Sequence, residues 1–118
     1  MYKGGVAMAN LERLLSIRGV WAAGQFNNDG TIVECKGELS QEFALMAARM
    51  CAANNNLASV LCDAFTGISE QEWTPMHCWA VAGPKHGIFV FKNLGVMFNT
   101  REVSFNEILK ALMEESRS

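Results

Sequence analysis

The stretch EFALMAARMCAANNNLASVLCD, Glu42 to Asp63, carries one charged side chain between its acidic ends, Arg49. A helix on the rim of a small domain shows one apolar stripe and one polar face. This stretch is apolar or small nearly all round. It cannot be a membrane span, because Arg49, Asn54, Asn55, Asn56 and Ser59 break every apolar run of the required length, about 18 to 20 residues. It therefore reads as a long central helix covered on more than one side. A domain this small has little interior for that, so a second copy or a partner is expected to cover part of it.

Outward from this helix, Ser40 is the expected N-cap, and Glu42 sits in the first turn, where the helix dipole favours an acid. The run Asn54-Asn55-Asn56 is a poor helix former and predicts a bend. The helix is expected to end near Phe65 to Gly67. Upstream, Asn10 caps a first helix whose Leu11, Leu14 and Leu15 share one face, and Gly19 ends it. Val20 to Phe26 reads as a strand, Asn27-Asn28-Asp29-Gly30 as a hairpin turn, and Thr31 to Gly37 as the returning strand.

Downstream, three further strands are predicted: Trp73 to Ala82, Ile88 to Lys92 and Gly95 to Asn99. Gly83 to Gly87 and Asn93-Leu94 form the turns between them. Pro75 cannot donate to a ladder, so it marks a sheet edge. Ser104 caps a last helix with Phe105, Ile108, Leu109 and Leu112 inward and Glu107 in its first turn. The runs Trp79 to Ala82 and Ile88 to Phe91 are apolar on both faces and need cover above and below. The predicted fold is α+β, an α/β sandwich of order α-β-β-α-β-β-β-α. Its five-stranded antiparallel sheet has the long helix on one face and the terminal helices on the other.

The bulk numbers agree with a single domain over residues 1–118, with 1–8 expected to be a disordered N-terminal extension. At 118 residues the chain can hide roughly 65% of its unfolded surface. Half of it is hydrophobic and 19% is charged, a globular balance. A net charge of −2 offers no basic field for phosphate backbones, so nucleic acid is not an expected partner. The N-terminus has no apolar core of a secretion signal, and the expectation is a cytoplasmic protein with no membrane partner. The four cysteines, Cys35, Cys51, Cys62 and Cys78, lie in apolar segments and read as reduced, buried structural residues.

Element order and motifs together resemble the roadblock / dynein light-chain fold, a roadblock/profilin-like architecture. The chain looks most like a small bacterial and archaeal roadblock-like family of unassigned function. The likeness rests on Gly24-Gln25-Phe26 with Asp29-Gly30, Met50-Cys51-Ala52-Ala53-Asn54, Trp73-Thr74-Pro75, Trp79-Ala80-Val81 and Asn93-Leu94-Gly95-Val96, from about Asn10 to Leu112. The Gly83 to Gly87 turn departs from the Gly-Gly-Asp-like pattern of that family. The resemblance implies a dimer joined through the long helices and the edge of the third strand, and a scaffold or regulator of small Ras-like GTPases. The candidate dimer-interface residues are Phe43, Met46, Ala47, Ala48, Arg49, Met50, Leu57, Trp73 and Pro75. Arg49 has two readings: a snorkelling rim residue, or an interface ion pair with Glu42 or Asp63 of the other subunit.

Catalytic chemistry finds little support. No Cys or His pair has zinc-site spacing, so no metal and no cofactor is expected. His77 and Cys78 are adjacent on a predicted covered strand and face opposite ways. Gly83 to Gly87 lacks the Gly-Lys-Ser/Thr ending of a phosphate loop and opens no helix. Trp73 and Trp79 share strand parity with Pro75 and His77. That face is the basis of an alternative reading, a small-ligand sensor with Trp79 and His77 as ligand-binding candidates. A weaker alternative is a thiol-dependent enzyme, in which Cys78 would have to meet His86 across a hairpin. The preferred reading is a non-enzymatic homodimer that binds another protein.

Overall fold

The computed structural model describes residues 2–3 and 6–116. Residues 1, 4 and 5 of the expected N-terminal extension lie outside the described residues. Within it, Tyr2–Lys3 (β1) pairs antiparallel with Val6–Ala7 (β2). Helix α1 spans Leu11–Leu15. Its cap is the expected one: the Asn10 side chain accepts the Arg13 peptide N–H, and Leu11 and Leu14 are buried. Strands β3 (Val20–Phe26) and β4 (Ile32–Gly37) form the first hairpin. At its turn Gly30 takes a positive φ of 88°, and the Asp29 carboxylate accepts both the peptide N–H and the hydroxyl of Thr31.

Helix α2 runs from Gln41 to Ser69, 29 residues, with the Ser40 hydroxyl accepting the Phe43 N–H. The Asn54-Asn55-Asn56 run lies inside it and does not end it. Asn55 tethers the helix to the sheet instead. Its Nδ2 donates to the Lys92 carbonyl at 2.8 Å, and its Oδ1 accepts the Trp79 indole N–H at 2.6 Å. The helix stops two residues beyond the expected end, where Glu70 turns left-handed.

Strands β5 (Cys78–Ala82), β6 (His86–Phe91) and β7 (Leu94–Asn99) follow, then helix α3 (Phe105–Glu115), capped by Ser104. The sheet order is β4-β3-β7-β6-β5, antiparallel throughout. The last strand thus sits at the centre. Leu94, Val96 and Phe98 of β7 alternate toward the terminal helices and are buried there with Leu14, Ile108 and Leu112. A carboxylate clasps α1 to α3: Glu115 accepts the Asn10 N–H at 2.9 Å and the Arg13 guanidinium at 3.0 Å. On the other face, Phe26, Val90 and Ile88 meet Ala48, Cys51 and Ala52 of α2.

Two expectations are corrected. The β6–β7 turn is Lys92-Asn93, one residue earlier than expected, with Lys92 at φ 55°. The Asn93 side chain fixes that turn by donating to the Phe26 carbonyl and to Asn28 Oδ1. The strand expected from Trp73 begins only at Cys78. Pro75 has no N–H for a ladder, and the Trp73 N–H is taken by Thr66 Oγ1 at 3.0 Å, which ties this segment to the end of α2. Trp73, Pro75 and His77 are therefore loop residues and share no strand face with Trp79.

Candidate interaction surface

Helix α2 has two apolar faces of different character. The sheet side is built from small residues: Ala44, Ala48, Cys51 and Ala52 are buried. They lie over a sheet surface that is bare at its centre, where Gly24 of β3 pairs with Gly95 of β7. An apolar cavity of about 50 Å³ remains between them, lined in part by Gly24, Cys35, Ala44, Ala47, Ala48 and Cys51. This placement corrects the reading of Ala48 as a residue of a shared helix face. At 6% exposure it packs on its own sheet. Ala47 is half-buried at the cavity's edge.

The outward side carries large apolar side chains. Phe43, Met46, Met50, Ala53, Leu57, Val60 and Ala64 alternate in steps of three and four residues, the heptad spacing of a helix that packs on another helix. All seven are exposed, Met50 at 64%. Leu61, Phe65 and Ile68 extend the apolar surface toward the C-terminal end, and no residue from Ala53 to Ile68 is buried. Among the described residues the distal half of α2 is covered only in part, at Asn54, Asn55, Ala58, Cys62 and Thr66. Sequence reasoning had picked out Phe43, Met46, Met50 and Leu57. It missed Val60, Leu61, Phe65 and Ile68, although the three-four spacing was there to be counted.

The remaining candidates separate. Arg49 is exposed beside Gly30 of the first hairpin and forms no ion pair among the described residues. Pro75 is exposed, and so is His77, which corrects the expectation of a covered strand position. Trp73 packs on Phe65 with ring centroids 4.9 Å apart, whereas Trp79 is half-buried against the α2 side of the sheet. The shared Trp73/Trp79 face of the sensor reading is not formed. His86 is exposed and meets Trp21 edge-on, with ring centroids 5.8 Å apart.

Of the four thiols, only Cys51 is buried, and the other three are half-buried, a correction to the uniform expectation. Burial pushes the Cys51 thiol up to about 11 and raises those of Cys35 and Cys78. These shifts favour the protonated, unreactive form. Cys78 lies opposite Phe91, while His86 lies opposite Asn99 at the other end of β6, so they do not meet. Among the described residues no three His, Cys, Asp or Glu side chains come together as a metal site. No helix among them is long and apolar enough to cross a membrane.

Residues 10–114 match the family model described as "Uncharacterized conserved protein (DUF2173)". The chain belongs to the DUF2173 family. No curated protein matches it. Its fold is that of roadblock domains. It is similar to the Roadblock/LC7 domain from Streptomyces avermitilis, with a TM-score of 0.75, 13% identity, and 91% of this chain and 88% of that one covered. The gliding protein MglB from Thermus thermophilus gives a TM-score of 0.74 at 14% identity, covering 98% and 93% of the two chains. An MglB with a tetrameric arrangement gives 0.69 at 14% identity, covering 98% and 96%. At such identities the likeness of this DUF2173 member to them is one of fold.

Proposed function

We propose that this DUF2173 protein is a non-enzymatic homodimer that serves as a scaffold or regulator by binding another protein. A small Ras-like GTPase is the partner class that the roadblock likeness suggests. The observation that carries the reading is the outward seam of α2 from Phe43 to Ala64. A monomer would leave this seam in water, and exposed apolar surface on that scale marks an interaction site. A second copy would cover it helix on helix, with a total buried area of about 1,200 to 2,000 Å². The free edge of β5 supports the same reading. Ala80, Val81 and Ala82 are exposed there, and nothing in the strand blunts the edge with charge.

The test compares rescue of a deletion strain by two variants. His77→Gln with His86→Gln removes the general bases available at neutral pH and is expected to rescue. Met50→Glu breaks the seam and is expected not to. A folded, dimeric histidine variant that fails to rescue would overturn the scaffold reading in favour of proton-linked chemistry.

A further inference from the structure

The apolar seam ends in a surface of different chemistry. Leu61, Phe65 and Ile68 follow one another at i, i+4 and i+7, so they share a helix face over roughly 10 Å. Ile68 is 82% exposed and Trp73 is 49% exposed. Yet Trp73 is fixed in place. Its indole N–H donates to Ser69 Oγ at 3.2 Å, its peptide N–H donates to Thr66 Oγ1, and its ring lies on Phe65. Ser69 Oγ is held in turn by donating to the Phe65 carbonyl at 2.6 Å. An exposed tryptophan that is already ordered loses little conformational freedom on contact, which is the property of an interface anchor.

The stretch of chain that carries this platform has charge of one sign. Between Arg49 and Lys85 the chain has no lysine or arginine, but it has Asp63, Glu70 and Glu72. Glu72 immediately precedes Trp73, and Glu70 lies three residues before it. A second copy of α2 offers Glu42, Arg49 and Asp63, a net acidic set. Nucleic acid and anionic lipid would be repelled.

We infer that the end of α2 and the loop after it, Leu61, Phe65, Ile68 and Trp73 rimmed by Glu70 and Glu72, dock a cationic amphipathic helix of the protein partner. This rests on the partner-binding reading above and names the chemistry of the contact. The apolar face of such a helix would lie on the platform, and its lysine or arginine flank would meet the acids.

The probe is a fluorescein-labelled synthetic helix with a leucine face and lysines on its polar flank, read by anisotropy against the intact protein. A helix with the same leucine face and glutamates is the control. The lysine helix is expected to bind and the glutamate helix not. Trp73→Ala, and separately Glu70→Lys with Glu72→Lys, should each weaken binding roughly tenfold or more, and the charge reversal should also flatten its salt dependence. Ile68→Ser, at a position too exposed to disturb the fold, should act in the same direction as Trp73→Ala. Light scattering on each variant should give the wild-type mass, which separates this claim from that of the dimer. Equal binding of both helices, no binding of the lysine helix, or variants that bind as wild type would overturn the inference. A loss of mass in Trp73→Ala or Ile68→Ser would overturn it too, by making the platform a contact between copies.

Discussion

Met50→Glu places a carboxylate at the middle of the outward seam. Met50 is 64% exposed in the single chain, so roughly two thirds of its burial remains to be gained by pairing. Full burial of a methionine contributes about 1.5 to 3 kcal/mol, which leaves about 1 to 2 kcal/mol per protomer and about 2 to 4 kcal/mol for a symmetric dimer. The desolvated carboxylate adds a penalty of the same sign. The dissociation constant should therefore rise by at least about 30-fold to 1,000-fold. Sedimentation velocity over a dilution series reads that constant, and circular dichroism reads the fold. Because Met50 meets solvent in the single chain, the variant's far-ultraviolet spectrum should match that of the wild type. A folded variant with the wild-type constant would refute the reasoning and remove the seam from the interface.

Ala48→Glu should behave differently: the carboxylate falls on the chain's own sheet, and folding should weaken by several kcal/mol, seen as an early urea midpoint. Gly24→Ala adds a methyl whose nearest neighbour is 3.6 Å away, facing the cavity, and should stabilise the fold by about 0.4 to 1 kcal/mol. Gly87→Ala would put its methyl 2.5 Å from the Phe98 ring and should cost about 1 to 3 kcal/mol; a denaturant melt of the pair checks both signs. The Cys51 thiol, held protonated by burial, should resist alkylation at neutral pH. Since its folded value is raised from 9.0 to about 11, stability should be insensitive to this group below 9.0 and fall as pH climbs through about 11, measurable by urea titration across that range.

Most of the architecture was legible because local signals and the global fold agree. Asn10, Ser40 and Ser104 each cap the helix they precede, the Asn-Asn-Asp-Gly turn sits where positive φ is needed, and β6 and β7 alternate into a core that needs both faces covered. What failed was tertiary. Trp73 has strand-forming chemistry, but Thr66 and Ser69, which come next to it only once α2 has formed, capture its two N–H groups. The Asn54-Asn55-Asn56 run read as a bend because the partners of Asn55, Trp79 and the Lys92 carbonyl, lie far along the chain. Ala48 and Met50 differ by two residues and by half a helix circumference. Composition alone could not say which of them faces the sheet, since both sides of α2 are apolar. The small residues take the sheet side because Gly24 and Gly95 lie opposite them, and the large ones are left outward.

Light scattering coupled to gel filtration at micromolar concentration tests the central claim most directly. The homodimer should appear as a particle of twice the 13.0 kDa chain mass. A particle of one chain mass under those conditions would contradict it, because the seam from Phe43 to Ala64 would then stand in water without a partner.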